Sequence, residues 1–151
     1  MGTKGLGYAF NILPVATGVH IDLENADGVT FVTYENGGDQ QIVFVESIKG
    51  ASGQALATVN ELYACSGVTA GVWTRETTHD QAGPTALDDD STVQKEDDTP
   101  HDCYAIYIGA DELSAGYDSV ECTIDGAGLC IAITHGLTVQ RQPENLPTIG
   151  T

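Results

Sequence analysis

Short runs of alternating apolar and polar residues, separated by turn-forming residues, make up most of this chain. Segments 8–13 and 19–23 flank a break at Pro14 and Gly18, and 29–34 is rich in β-branched and aromatic residues. Runs of this kind bounded by Gly, Pro, Asn and Asp read as β-strands. The turn Asn25-Ala26-Asp27-Gly28 leads into the third run. Asn36-Gly37-Gly38-Asp39 joins it to 41–46 with the chemistry of a hairpin loop. Further strands are predicted at 71–77, 103–109, 119–124, 129–134 and 137–141. Eight or nine short strands at this spacing predict a mainly β fold, an antiparallel β-sandwich or barrel.

One stretch carries a different period. Ala55, Leu56, Val59, Leu62 and Tyr63 recur at i, i+3, i+4, which predicts one short helix over 54–65. Ser52 is its expected N-cap and Gly67 its stop. A second, shorter helical turn is predicted at 110–114. Residues 78–102 break the pattern in another way: they hold eight of the 22 acidic residues, one Lys and almost no large apolar side chain. No core can form from such a composition, so the segment is predicted to be a long exposed acidic loop or arm. The 151 residues otherwise suit a single domain, 1–151, burying roughly 68–70 % of the surface its unfolded chain exposes.

Charge narrows the function classes. The formal net charge is −17, and the five basic residues (Lys4, Lys49, Arg75, Lys95, Arg141) are scattered. Nucleic-acid binding depends on Lys and Arg neutralising phosphates, so no nucleic-acid partner is expected, nor an anionic membrane. Residues 1–18 lack the charged and apolar regions of a signal peptide. Met1-Gly2 begins a myristoylation pattern, but Leu6 stands where Ser or Thr belongs. The longest apolar run, 103–108, is far short of a membrane span. A soluble protein made in a cytosol is the expectation.

Candidate chemistry is sparse. Gly5 and Gly7 lack the strand and helix of a dinucleotide fingerprint, and Gly126 and Gly128 sit in a predicted hairpin turn. Cys65, His79, His101 and Cys103 make a zinc set only if the acidic segment folds back on itself. Asp88-Asp89-Asp90 and Glu96-Asp97-Asp98 are consecutive and lack the alternation of a calcium loop. No metal, cofactor or catalytic residue is therefore assigned, and no enzyme is expected. A three-residue loop at 125–127 sets Cys122 opposite Cys130, whereas a two- or four-residue loop sets it opposite Ile131. Reduced thiols acting as small buried hydrophobes are the expectation in a cytosol. Trp73, the sole tryptophan, reads as a core or interface anchor, with a sugar-stacking platform as the rival.

Three stretches carry a resemblance: Asp27-Gly28-Val29-Thr30-Phe31, the run from Asp111 to Val120, and Gln140-Arg141-Gln142-Pro143-Glu144-Asn145-Leu146-Pro147. They resemble small virion proteins of tailed bacteriophages infecting actinobacteria. In those proteins a Leu…Gly-Tyr-Asp-x-Val turn leads into a late strand, as Leu113 to Val120 does here. Such proteins are often encoded near the major capsid protein, and several act as capsid decoration, or cement, proteins. The resemblance implies a non-enzymatic structural protein that binds and stabilises the outer capsid surface. Its partners would be the major capsid protein and further copies of itself, and its location the virion surface after synthesis in the host cytoplasm.

A cement protein needs a rigid soluble β domain and edges or arms that engage neighbours. The terminal segments are the expected contacts, through Tyr8, Phe10, Arg141, Pro143 and Leu146, with Trp73 as a further anchor. Two other readings remain open. A tail or head-tail connector component would differ in copy number. A small carbohydrate-binding module would use Trp73, Tyr104 and Tyr107.

Overall fold

β-Branched and aromatic residues dominate the strands that form, because their side chains pack well on a pleated, half-buried surface. The computed structural model describes residues 10–16, 18–34, 42–66, 71–76, 79–80, 86–87, 102–124 and 128–138. The chain order is β1 (Phe10–Val15), β2 (His20–Asp22), β3 (Gly28–Tyr34), β4 (Ile42–Ile48), β5 (Ala51–Ala55), β6 (Thr58–Val59) and β7 (Glu61–Ser66). It continues with β8 (Trp73–Glu76), β9 (His79–Asp80), β10 (Ala86–Leu87), β11 (Asp102–Gly109), β12 (Ser119–Ile124) and β13 (Leu129–His135). A six-stranded antiparallel sheet runs β1-β13-β3-β11-β7-β8. A second antiparallel sheet runs β10-β4-β12-β2, with β5 also pairing β4, and β6 pairs β9 in a small ribbon. Neither main sheet closes on itself, so the predicted sandwich is the observed architecture.

The core lies between the sheets. Val29 and Phe31 of β3, Ile106 and Ile108 of β11 and Ala132 of β13 are fully buried on one side. Ile42 and Phe44 of β4 and Val120 of β12 face them from the other. Phe31 and Phe44 meet across the layers with ring centroids 5.5 Å apart and tilted planes, a favoured arrangement for an aromatic pair. Truncating either ring to alanine in such a core costs about 3–5 kcal/mol. Glu46 is also fully buried. Its carboxylate accepts from Gln54 Nε2 (2.6 Å) and the Ser114 amide (2.7 Å), tying β4 to β5 and to the chain after β11.

Several expectations are corrected. The stretch 54–65 holds no helix: it is the end of β5, then β6, then most of β7. Leu56, Val59 and Leu62 are all buried, as the periodicity required, but irregular residues at Ala57 and Asn60 reset the alternation between short strands. Upstream, Lys49 and Gly50 adopt φ of 50° and 76°, and Ile48 pairs Ala51 across them. Two consecutive left-handed residues make the turn that fits twisted hairpin strands, so the chain enters 51–55 as a strand. The Lys49 amide donates to Asp118 Oδ1 (2.6 Å), which holds the non-glycine member.

The two expected hairpins at 36–39 and 125–127 are not hairpins either. β3 and β13 lie in the six-stranded sheet, whereas β4 and β12 lie in the other. A connection of four or more residues spans the roughly 10 Å between packed sheets, so loop composition alone does not keep the chain in one sheet. The turn predicted at 110–114 appears as a 3-10 turn, Ala110–Glu112, with the Gly109 amide donating to Glu112 Oε2 (2.9 Å). Leu137 and Thr138 are not strand, and the rest of the strand expected there lies outside the described residues. Within the acidic segment, β9 pairs β6 and β10 pairs β4, so two dipeptides add to the body. Asp102 begins β11, and the rest of the segment, with Asp88-Asp89-Asp90 and Glu96-Asp97-Asp98, lies outside the described residues.

Candidate interaction face

Directly opposed residues in an antiparallel ladder share a face, so the register fixes what the outer side of the six-stranded sheet presents. One row across it reads Leu129, Tyr34, Cys103, Cys65, Trp73 from β13 to β8. The next reads Pro14, Ile131, Val32, Ala105, Tyr63, Arg75 from β1 to β8. A third reads Ile12, Ile133, Thr30, Tyr107, Glu61. Arg75 and Glu61, both toward the β7/β8 side, are the only charged residues in these rows.

An antiparallel sheet with one face on a core is expected to be polar on the other. Here Leu129 is 67 % exposed, Trp73 46 %, Ile12 46 % and Ile131 45 %. Five of the seven exposed large hydrophobics among the described residues lie in these rows. At about 4.8 Å between strands and 6.8 Å between rows, the face covers on the order of 500 Å² in projection. That is the scale of a standard protein interface, which removes about 800 Å² of accessible surface per partner. Aromatic enrichment and depletion of charge are the compositional marks of an interface core. Pro14 also suits its place: β1 is an edge strand, where a missing N–H costs least.

The opposite face of the molecule has a different chemistry. Glu121 of β12 and His20 of β2 are cross-strand partners, with His20 Nε2 3.3 Å from Glu121 Oε2. His20 Nδ1 lies 2.7 Å from Ser47 Oγ, which lies 2.9 Å from Ser119 Oγ. Ser, His and Glu in sequence resemble a nucleophile, base and orienting acid. Ser47, however, has no solvent exposure and Ser119 only 2 %. A nucleophile must reach its substrate, and this hydroxyl is sealed and already bonded. The chain of contacts satisfies buried polar groups where β4, β12 and β2 meet.

The structure brings few of the sequence-predicted residues together. Trp73 is on the face, and half-buried Phe10 stands at its lower border, paired with His135. Tyr8, Arg141, Pro143 and Leu146 lie outside the described residues. The trio Trp73, Tyr104 and Tyr107 does not form a platform. Tyr104 is 2 % exposed and points into the core, because it and Tyr107 are an odd number of positions apart on one strand. Of the zinc set, Cys65 and Cys103 are direct cross-strand partners, whereas His101 and the His79 side chain lie outside the described residues. Among the described residues no three His, Cys, Asp or Glu side chains gather as metal ligands, and no helix is long and apolar enough to cross a membrane.

Sequence reading missed Leu129, Ile131, Ile12 and Val32. The signal was present in Leu129-Cys130-Ile131-Ala132-Ile133, a continuous apolar run. Such a run belongs to a strand apolar on both faces. Comparison with known proteins finds no matching family model, no matching curated protein and no matching solved structure.

Proposed function

We propose that this chain is a non-enzymatic virion structural protein that docks on the outer surface of a phage capsid and stabilises it. The observation that carries the reading is the apolar, charge-poor outer face of the six-stranded sheet in a molecule of net charge −17. The occupant of that face is the coat protein. Nucleic acid and anionic lipid are disfavoured by the charge, and a second copy placed face to face brings two strongly like-charged bodies together. Self-association, where it occurs, uses the sheet edges at β1 or β8, each of which pairs with a single strand among the described residues. Copies arrayed on a lattice bridge neighbouring capsomers, so weak contacts add up to firm attachment.

The resemblance of Leu113 to Val120 to actinobacteriophage virion proteins supports the same reading. Copy number separates capsid from tail. Mass spectrometry of purified particles is expected to give a simple ratio of this chain to the most abundant structural protein, near one or near a third. A ratio of a few per cent would move the protein to the tail or connector, and its absence would end the virion reading.

A further inference from the structure

We propose that Cys65 and Cys103 form a reversible disulfide site on the outer face of the six-stranded sheet. The two cysteines are direct cross-strand partners in the β7/β11 ladder. Opposed residues in an antiparallel pair have Cα atoms about 4.5 or 5.5 Å apart, depending on their place in the hydrogen-bonding pattern. Both values fall within the 4.4–6.8 Å range of disulfides. Neither residue is sealed in the core, since both are half-buried at outward positions. A small disulfide therefore has access to them.

Cys122 and Cys130 behave differently. They are buried between the sheets, and burial, with a mutual hydrogen bond, pushes the Cys122 thiol well up. Thiolate character and access govern exchange, so the outer pair reacts first. Burial also raises the Cys103 thiol, with Cys65 adding to it, so exchange is faster at mildly alkaline pH.

The oxidant is a small-molecule disulfide such as glutathione disulfide. One thiolate of the pair attacks a glutathione sulfur, forming a mixed disulfide and releasing one glutathione thiolate. The second cysteine, as its thiolate, attacks the protein sulfur of that intermediate and releases the other. The S–S bond of the oxidant is replaced by one between Cys65 and Cys103, and the two thiol protons end on the released glutathiones or in solvent. The product closes the loop 66–102, which contains β8 and the acidic segment. Directly opposed strand positions are a constrained place for a disulfide, and constrained bonds reduce readily, which makes the site reversible. The inference does not depend on the proposed function.

Trp73, the only tryptophan, is the direct cross-strand neighbour of Cys65 and reports the bond, because a nearby disulfide quenches indole emission. Trypsin cuts after Lys49, Arg75, Lys95 and Arg141, so Cys65 leaves on peptide 50–75 and Cys103 on peptide 96–141 with Cys122 and Cys130. The full chain is incubated with excess glutathione disulfide at pH 8 and digested without reduction. The expected result is a linked 50–75/96–141 pair from monomeric protein, with fragmentation placing the link at Cys103. Trp73 emission is expected to fall at least twofold and to recover with dithiothreitol. Cys65→Ser and Cys103→Ser each abolish both signals, and Cys122→Ala keeps them. Peptides that remain unlinked, a link to Cys122 or Cys130, links only between molecules, or quenching that survives in Cys65→Ser would each overturn the site.

Discussion

His135 ends β13 with its Nε2 2.7 Å from Thr30 Oγ1 and its ring 6.0 Å from that of Tyr107. Burial lowers its pKa below the ordinary value of about 6.5. The sign follows from proton uptake. Above pH 6.5 the ring is neutral in both folded and unfolded chains, and it adds no pH dependence. Below that, the unfolded chain binds the proton more readily, so stability falls as pH drops from 6.5 toward the lowered folded value and then levels off. Urea midpoints of the parent chain and of His135→Gln, measured at pH 7.5 and 5.5, are expected to show a smaller acid loss in the variant. Equal losses would contradict this assignment. The Cys122 and Cys103 thiols shift the opposite way, upward, from the same cause. For a neutral acid, burial opposes the charge that deprotonation creates; for histidine, it opposes the charge that protonation creates.

Gly28 sets the close approach of β3 to β11. A Cβ there would lie 2.5 Å from the Tyr107 hydroxyl and 2.6 Å from the Ile108 carbonyl oxygen. The tyrosine ring can turn away, but the carbonyl belongs to the β3/β11 ladder and cannot move without breaking it. Gly28→Ala is therefore expected to destabilise by about 1–3 kcal/mol, and an unchanged urea midpoint would refute this. Most strands were legible in sequence because alternation and β-branching report burial directly, as in β3, β11, β12 and β13. The helix at 54–65 was misread because two breaks within a run of short strands mimic a spacing of three and four. Sheet membership was not legible either: Phe31 and Phe44 have the same pattern around them, yet they sit in opposite layers. The candidate face was half legible. Alternation marks the inner residues of a strand, but only the structure shows that the outward Leu129 and Ile131 are exposed among the described residues.

At the scale of the molecule, two features stand apart. The rows from Leu129 to Trp73 and from Pro14 to Arg75 carry almost no charge, although the chain has 22 acidic residues. The polar network of His20, Ser47, Ser119 and Glu121, in which the two serines are buried, lies on the other sheet and serves cohesion. On the proposed function, the charge-poor face is the one that meets the capsid, and attachment takes a single orientation. Attachment should then depend on the face and be indifferent to charge added elsewhere. The most direct test is occupancy on particles stripped of this protein and re-incubated with Ile131→Asp, alongside Ala51→Asp as a control on the second sheet. Both residues are exposed in the free protein, so both variants are expected to fold with near-parent stability. The account predicts at least a tenfold loss of bound Ile131→Asp and parent-level binding of Ala51→Asp. Full occupancy by Ile131→Asp would contradict docking through this face.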